Sequence, residues 1–578
     1  MSERILIIGG VAAGPKAACR LKRVKPDADV TIIDQDSLIS YGGCGIPYYI
    51  SGDVADEKEL RSTSFHMLRD EAFFEKAKGV KTMTSTRAVA IDRSNKIVEV
   101  ENVQTGERQT LSYDKLMLAM GSQPMVPPIA GVNLEGVYTI SDMHKAIAIK
   151  DRIAKGKVSK AVVIGGGATG IEMVEALTDL WGIPTTLLAS KRSKQLLRNV
   201  IGWSVAQILA KHIRDNNVEL IFGEGAAEIL GEDGKVTGVK TGGDRIIDCD
   251  LVIIAAGVRP RSDLAKNAGL HVSENGAIVV NERMQTSDQN IYAAGACVEI
   301  PHLVSGKRFF APFGSLANKE GRVAADNMAG IPSTFRGGIG TFILKAFDMS
   351  VGSTGLSLEE ALAEGFDADV SLTSPSDRAH FFPTQQIICL EMVFDKRTRR
   401  VLGFQGVGPM NDGLAARIDA AAVAISAGAT VEDFSTIEMA YAPPFATAID
   451  AINAAAYTAE NLIDGRMRQM LLEPFYAWME DMSTYPDRIV VDVRHPKQSE
   501  PFVDKFGEKW LSLPYEQVRD RYQELPKDKE LVIFCNAGSR SYEVQIFLDS
   551  VGVTNNIALA GGFNFIKRIE TNWLPEQL

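Results

Sequence analysis

A chain of 578 residues, 45% of them apolar and 23% charged, exceeds what one hydrophobic core usually serves and reads as an ordinary α/β protein of several domains. The net charge of -11 excludes the broad basic footprint of a protein whose main partner is nucleic acid. Six scattered cysteines are too few for a disulfide framework, no close Cys/His cluster suggests zinc, and neither a signal-peptide core nor an apolar run long enough to span a bilayer is present, so a reducing cytoplasm, no metal and no membrane insertion are expected.

The first predicted elements are a strand at Arg4 to Ile8, a turn Gly9-Gly-Val-Ala-Ala-Gly14, a helix to about Val24, and a strand from Val30 to Asp34. Val11 stands where a dinucleotide-binding turn has its middle glycine, so on its own the segment is equally a simple tight turn. Asp34 closes the second strand twenty residues after Gly14, where a carboxylate accepts from a ribose hydroxyl. The helix carries Lys16, Arg20, Lys22 and Arg23, and the spacing puts Lys16, Arg20 and Arg23 on one face. That face suits phosphates, and its plain alternative is a solvated helix surface.

Next comes Ser40-Tyr-Gly-Gly-Cys44-Gly-Ile-Pro-Tyr-Tyr49, a cysteine on a glycine-rich turn. Converging backbone N–H groups and a helix N-terminus are expected to favour its thiolate. An apolar strand then ends at Gly121. A second strand-turn-helix-strand unit follows: Ala161 to Ile164, Gly165-Gly-Gly167-Ala-Thr-Gly170, a helix from Ile171 to about Trp181, and Thr185 to Leu188. Gly165, Gly167 and Gly170 fit the G-x-G-x-x-G pattern fully in the required context. The acidic position at the end of its second strand is Ala189, followed by Lys191 and Arg192, which favours NADPH over NADH unless these two cations are only a solvated loop. Another apolar strand ends at Gly257, and Gln289-Asn-Ile-Tyr-Ala-Ala-Gly295-Ala296-Cys297 precedes a helix at about Ser315 to Asn327.

On these motifs, residues 1 to about 455 resemble the flavin-dependent pyridine nucleotide disulfide reductase superfamily. The resemblance implies FAD on the first unit and NAD(P)H on the second, with cofactor-binding positions at Gly9, Gly14, Asp34, Gly121, Gly165, Gly167, Gly170, Lys191, Arg192, Gly257, Gly295 and Ala317. It implies two Rossmann-like domains, with FAD on 1–150 and 281–330 and NAD(P)H on 151–280, then an α+β dimerisation domain at 331–455 and a linker at 456–475. Ala296 departs from the family, which has an Asp there on the flavin's ribityl chain; losing that contact costs about 1 kcal/mol net and weakens flavin binding without abolishing it.

Most disulfide reductases use two cysteines separated by four residues, and position 49 here is Tyr. The run Ser-x-x-x-Cys-x-x-Pro-Tyr is similar to the single-cysteine branch of coenzyme A disulfide reductases, NADH oxidases and peroxidases, and persulfide or polysulfide reductases. Glu438-Met-Ala-Tyr441-Ala-Pro-Pro-Phe445 resembles the coenzyme A disulfide reductase segment whose tyrosine reaches the active site of the other subunit, which implies a homodimer and a catalytic role for Tyr441. The resemblance places coenzyme A contacts at Arg23 and Ser40, beside the cations Lys16 and Arg20. Two departures fall here: Phe381-Phe382-Pro383 replaces a tyrosine pair and cannot donate a proton, and Gly43 replaces an asparagine.

Residues 476–578 resemble a rhodanese domain, with Asp492 and Arg494 in its early Asp-x-Arg motif and Cys535-Asn-Ala-Gly-Ser-Arg540 as its loop. Four residues between Cys535 and Arg540 form the tight sulfurtransferase loop, whereas the related phosphatase loop has five. The expected activity is NAD(P)H-dependent, FAD-dependent reduction of small-molecule sulfur substrates (persulfide, polysulfide or CoA disulfide) through Cys44. Cys535 and Arg540 would relay sulfane sulfur to a thiol such as coenzyme A. An NAD(P)H oxidase or peroxidase and a low-turnover redox-sensing sulfur carrier remain open alternatives.

Overall fold

Short apolar runs that end in glycine set the architecture, because a strand such as Ile5–Ile8, buried on both faces, is stable only inside a parallel sheet covered by helices. The computed structural model describes residues 2–410 and 412–576. These fall into two compact units, Met1–Ser193 with Asn217–Gly338 and Lys194–Asn216 with Ile339–Leu578.

The first unit holds two five-stranded parallel sheets. In one, Arg4–Ile8 lies between Asp29–Ile33 and Lys115–Leu118, with Lys81–Met83 and Ile291–Ala293 at the edges. Its crossover helix Ala13–Val24 buries Ala13, Ala17, Ala18 and Leu21, one stripe of a 3.6-residue period. The helix Gly314–Met328 packs against this helix, and Gly321 permits the approach: a Cβ there would stand 2.5 Å from the Ala13 carbonyl oxygen. In the other sheet the order is Val218–Ile221, Thr185–Leu188, Ala161–Ile164, Leu251–Ile254 and Val137–Thr139. The short strands Ser122–Pro124 and Val258–Pro260 pair antiparallel directly after Gly121 and Gly257.

Two expected boundaries are corrected. The strand Val137–Thr139 joins the second sheet through Val252–Ile254, so that sheet begins before residue 151. Within the expected 151–280 domain, the helix Trp203–Asp215 belongs to the second unit, where its N-terminus is held by Glu391 and Gln405. Gly202 N–H donates to Gln405 Oε1 at 2.7 Å, and Glu391 accepts from the backbone N–H groups of Val205 and Ser204. A Cβ on Gly202 would overlap the Glu391 carboxylate at 1.9 Å, which is why glycine precedes the helix.

The second unit contains a five-stranded antiparallel sheet in the order Phe342–Ala346, Met349–Gly355, Val401–Pro409, Cys389–Asp395, Ala368–Thr373. It also contains a five-stranded parallel sheet in the order Gln469–Met470, Asn556–Leu559, Glu530–Phe534, Arg488–Asp492, Trp510–Ser512. The expected linker 456–475 is a correction as well: the helix Ala451–Ile463 spans its start, and Gln469–Met470 pairs with Ala558–Leu559 as an edge strand of the last sheet. Arg468 explains the order there, since it pairs with Asp549 at 2.7 Å and donates to the Asn556 carbonyl.

Candidate active site

The two glycine turns are built alike. A Cβ on Gly9 would stand 2.1 Å from Ala119 O and one on Gly14 1.9 Å from Gly9 O; the matching contacts of Gly165 and Gly170 are 2.2 Å to Ala255 O and 1.8 Å to Gly165 O. These four glycines let strand, turn and helix close on one another. Gly167 is different: its φ of -86° suits any residue and nothing lies within 4 Å of a Cβ built there. The chain itself gives no reason for glycine at 167, whereas the pyrophosphate of a dinucleotide approaching the N-terminus of Ala168–Thr178 does. The residues therefore fit NAD(P)H, and Lys191 and Arg192 stand exposed on the turn after buried Ala189.

In the first turn Asp34 accepts from Gly10 N–H at 2.6 Å and Asp36 N–H at 2.8 Å. Burial lifts its carboxyl and these two N–H groups pull it back. Asp34 thus braces the turn at the strand end where an adenosine ribose would be held. Gly121, Gly257 and Gly295 all have positive φ (67°, 97° and 84°), a conformation that favours glycine. Gly295 N–H donates to Glu320 Oε2 at 2.6 Å, and burial pushes the Glu320 carboxyl to about 7. Ala317 is buried with its N–H donating to Phe313 O at 3.0 Å, so its backbone donor serves the helix.

Cys44 sits on a single 3₁₀ turn, Gly43–Gly45, that runs into the helix Ile46–Ser51. Its sulfur lies 3.8 Å from where a Cβ on Gly314 would be, at the first residue of Gly314–Met328. The expectation of a favoured thiolate is corrected for the protein alone. Partial burial of the thiol, followed by the charge of Glu172, lifts it above its ordinary value, and the N–H groups of Gly314 and Cys44 pull the other way without prevailing. Glu172 follows the Gly165–Gly170 turn, and burial brings its carboxyl to about 7. Sequence reasoning missed Glu172; its only signal was a carboxylate two residues past the last glycine of the turn.

The basic face of Ala13–Val24 is partly committed. Arg20 pairs with Asp326 at 2.6 Å, while Lys16 and Arg23 are exposed. Arg69 and Lys78, also missed, join Lys16 and Arg23 as the positive charges acting on the Cys19 thiol, which burial nevertheless lifts. Ser40 is buried with φ 55°, its N–H donating to Gly10 O at 2.7 Å, so it ties the Cys44 segment to the first glycine turn.

In the second unit Phe381 is 67% exposed and Tyr441 is 53% exposed. Their segments meet where Ala379 N–H donates to Pro443 O at 3.2 Å. Arg417 is buried against Asp450 at 2.6 Å and donates to the Asp377 carbonyl at 3.1 Å. Cys535, 1% exposed, directly follows the strand Glu530–Phe534, and its sulfur accepts from Gly538 N–H at 3.1 Å. Arg540 lies in the first turn of the helix Ser539–Ser550. Asp492 and Arg494 are a buried pair at 2.7 Å, with Trp510 Nε1 also donating to Asp492 and the guanidinium packed on Phe502, Phe534 and Phe563. That pair is a keystone of the sheet under the thiol loop. Among the described residues no His/Cys/Asp/Glu group is arranged to hold a metal, and all six cysteines are free.

Comparison with known proteins agrees with this geometry. The pyridine nucleotide-disulphide oxidoreductase family model matches residues 3–308, and its dimerisation-domain model matches 342–452. An NAD(P)H coenzyme A polysulfide/persulfide reductase of Pyrococcus horikoshii is 37% identical over 452 residues, 78% of this chain and 97% of the relative. Among solved structures, an NAD-dependent persulfide reductase from A. fulgidus superposes with a TM-score of 0.91 at 35% identity over 97% of this chain and 99% of its own. Reduced Bacillus anthracis CoADR-RHD does so with a TM-score of 0.89 at 30% identity, covering 99% and 100%.

Proposed function

Because the chain belongs to the pyridine nucleotide-disulphide oxidoreductase family, and is therefore an enzyme that uses FAD and NAD(P)H, we propose that it reduces persulfide, polysulfide or CoA disulfide at Cys44 and relays sulfane sulfur through Cys535. The observation that carries this reading is the position of Cys44. It is a single thiol against the first residue of the helix Gly314–Met328, beside N–H groups able to stabilise a sulfur anion, and the position separated from it by four residues is Tyr49, not a second cysteine.

The mechanism follows from what the side chains do. Cys44 thiolate attacks the inner sulfur of a bound persulfide; the S–S bond breaks, hydrosulfide leaves, and Cys44 is joined to the carrier thiol as a mixed disulfide. NAD(P)H and FAD, when bound, supply the two electrons that return Cys44 to thiolate and free the carrier. Gly9, Gly14, Asp34, Gly121 and Gly295 would hold the FAD, and Gly165, Gly167, Gly170, Lys191, Arg192 and Gly257 the NAD(P)H. Lys16 and Arg23, joined by Arg69 and Lys78, would take coenzyme A phosphates. Tyr441 would donate to the departing thiolate of a partner subunit in a homodimer, and Cys535 would carry sulfane sulfur with Gly538 N–H and Arg540 as its donors. Two thiols that must stay reduced would suit a reducing cytoplasm.

An oxidase or peroxidase uses the same lone thiol as a sulfenic acid. The likeness over the full chain to a persulfide reductase and to CoADR-RHD favours sulfur chemistry. Anaerobic stopped-flow reoxidation of the two-electron-reduced enzyme by CoA persulfide, CoA disulfide, polysulfide, peroxide and oxygen ranks the substrates. The reading requires the sulfur acceptors to win and the Cys44→Ser enzyme to lose them; oxygen or peroxide in first place overturns it.

A further inference from the structure

Ser374 follows the strand Ala368–Thr373 and is 3% exposed, with its hydroxyl fully used. It donates to Gly561 O at 3.1 Å and accepts from Asn564 Nδ2 at 3.2 Å. Gly561 lies in the turn that follows the strand Asn556–Leu559, and Asn564 in the helical turn Phe563–Ile566 that this turn enters. That turn is pressed onto the thiol loop: Phe563 N–H donates to Cys535 O and Asn564 N–H to Asn536 O, each at 2.9 Å. A Cβ on Gly562 would stand 2.7 Å from the carbonyl oxygens of both Cys535 and Asn536, so no side chain fits between turn and loop.

On its other side Ser374 opens the excursion 375–388. Ile388 N–H donates to Pro375 O at 3.0 Å and Asp377 N–H to Gln386 O at 2.8 Å, closing its base. Its far end carries exposed Phe381, and Ala379 ties it to the Tyr441 segment. One hydroxyl therefore stands between the turn that braces Cys535 and the root of the aromatic excursion, inside a single compact unit.

We propose that Ser374 is a positioning residue for sulfur transfer, fixing the Cys535 loop relative to the 375–388 excursion so that a thiol carried on that excursion meets the Cys535 persulfide in one geometry. The inference rests on the sulfur-relay reading given above. In the step concerned, the acceptor thiolate attacks the outer sulfur of Cys535–S–SH; the S–S bond breaks, Cys535 leaves as thiolate, and the acceptor departs as a persulfide carrying the proton. A small acceptor that diffuses to the loop does not need the excursion. A large carrier such as coenzyme A, with its thiol end seated on the excursion, would, and for it misplacement by a fraction of an ångström costs rate.

The test uses full-length holoenzyme with thiosulfate as donor and either cyanide or coenzyme A as acceptor. For Ser374→Ala the expected result is an unchanged cyanide rate, an unchanged KM for coenzyme A, and a kcat for coenzyme A about tenfold lower. Asn564→Ala, which cuts the same link from the other side, gives the same split, and Ser374→Thr restores part of the kcat. Equal loss with both acceptors, or no loss with either, overturns the proposal. A parent enzyme that transfers no sulfur to cyanide overturns the relay reading instead, so the two failures are distinct.

Discussion

Glu172 and Cys44 come from separate segments of the first unit, one on the helix after the second glycine turn and one on the turn after the first, and the carboxylate charge raises the thiol. Two lone groups thereby share a balance that neither segment shows alone. Removing the charge in Glu172→Gln leaves burial as the main brake on ionisation, so the Cys44 thiol falls toward its ordinary value and more thiolate is present at pH 7.5. Alkylation of Cys44 by iodoacetamide, followed by mass spectrometry against pH, is expected to shift to lower pH and to run about two- to fivefold faster at pH 7.5. Unchanged alkylation would remove Glu172 from any account of the thiol.

The glycines of the second turn separate folding from binding. Gly170→Ala places a Cβ 1.8 Å from a backbone oxygen that cannot move aside, and is expected to destabilise the protein by about 2–4 kcal/mol. Gly167→Ala meets nothing within 4 Å, so thermal stability of the apoprotein stays at the parent value. Its methyl occupies the space through which a pyrophosphate reaches the helix N-terminus, and the NAD(P)H dissociation constant rises about tenfold or more by fluorescence titration. Parent affinity in Gly167→Ala would show that the dinucleotide lies elsewhere.

The sequence made the parallel sheets, the glycine turns and both candidate thiols legible, because each rests on local pattern: a buried apolar run, a turn that only glycine permits, a cysteine at a loop. Gly9 and Gly165 show the same close contact with the next strand although Val11 breaks the first motif, so packing against Ala119 and Ala255 rather than the motif letters fixes the turn. What sequence could not show is set by distant partners. Trp203–Asp215 reads as part of the second nucleotide unit until Glu391 and Gln405, some two hundred residues away, are seen to cap it. The strand Gln469–Met470 reads as linker because two residues carry no period, and only pairing with Ala558–Leu559 makes it a strand. Arg20 matched the phosphate pattern and is spent on Asp326.

Glu391 also predicts a pH dependence. Burial pushes its carboxyl to about 7, above the ordinary 4.5 of the unfolded chain, so between those values the folded protein holds a proton that the unfolded chain has lost. Its contribution is therefore fully present below about pH 4.5 and is lost as pH rises through 7, up to about 3 kcal/mol at the limit. Glu391→Gln keeps an acceptor oxygen for the N-terminus of Trp203–Asp215 and removes the titration. The melting temperatures of parent and variant should coincide near pH 5 and separate by pH 8, with the variant the more stable. A parent that gains stability over the variant on the alkaline side would show the carboxylate to be the preferred cap.

The two thiols should separate cleanly by function. Cys535→Ser retains an oxygen that can accept from Gly538 N–H, so the loop keeps its shape. Serine cannot carry sulfane sulfur, and thiosulfate-to-cyanide transfer is expected to fall by about 10³-fold. Reduction of preformed CoA persulfide, which uses Cys44, should stay within about twofold of parent, since nothing in the chemistry at Cys44 requires the second thiol. Cys44→Ser should show the reverse: transfer to cyanide intact, and NAD(P)H oxidation by CoA persulfide lost by a similar factor. Coupled assays that start from thiosulfate and end in sulfide should fail in both variants and recover when the two are mixed with free coenzyme A, because coenzyme A that takes the sulfane sulfur from Cys535 of one enzyme diffuses as its persulfide to Cys44 of the other. No recovery on mixing would mean that sulfur passes only within one assembled enzyme.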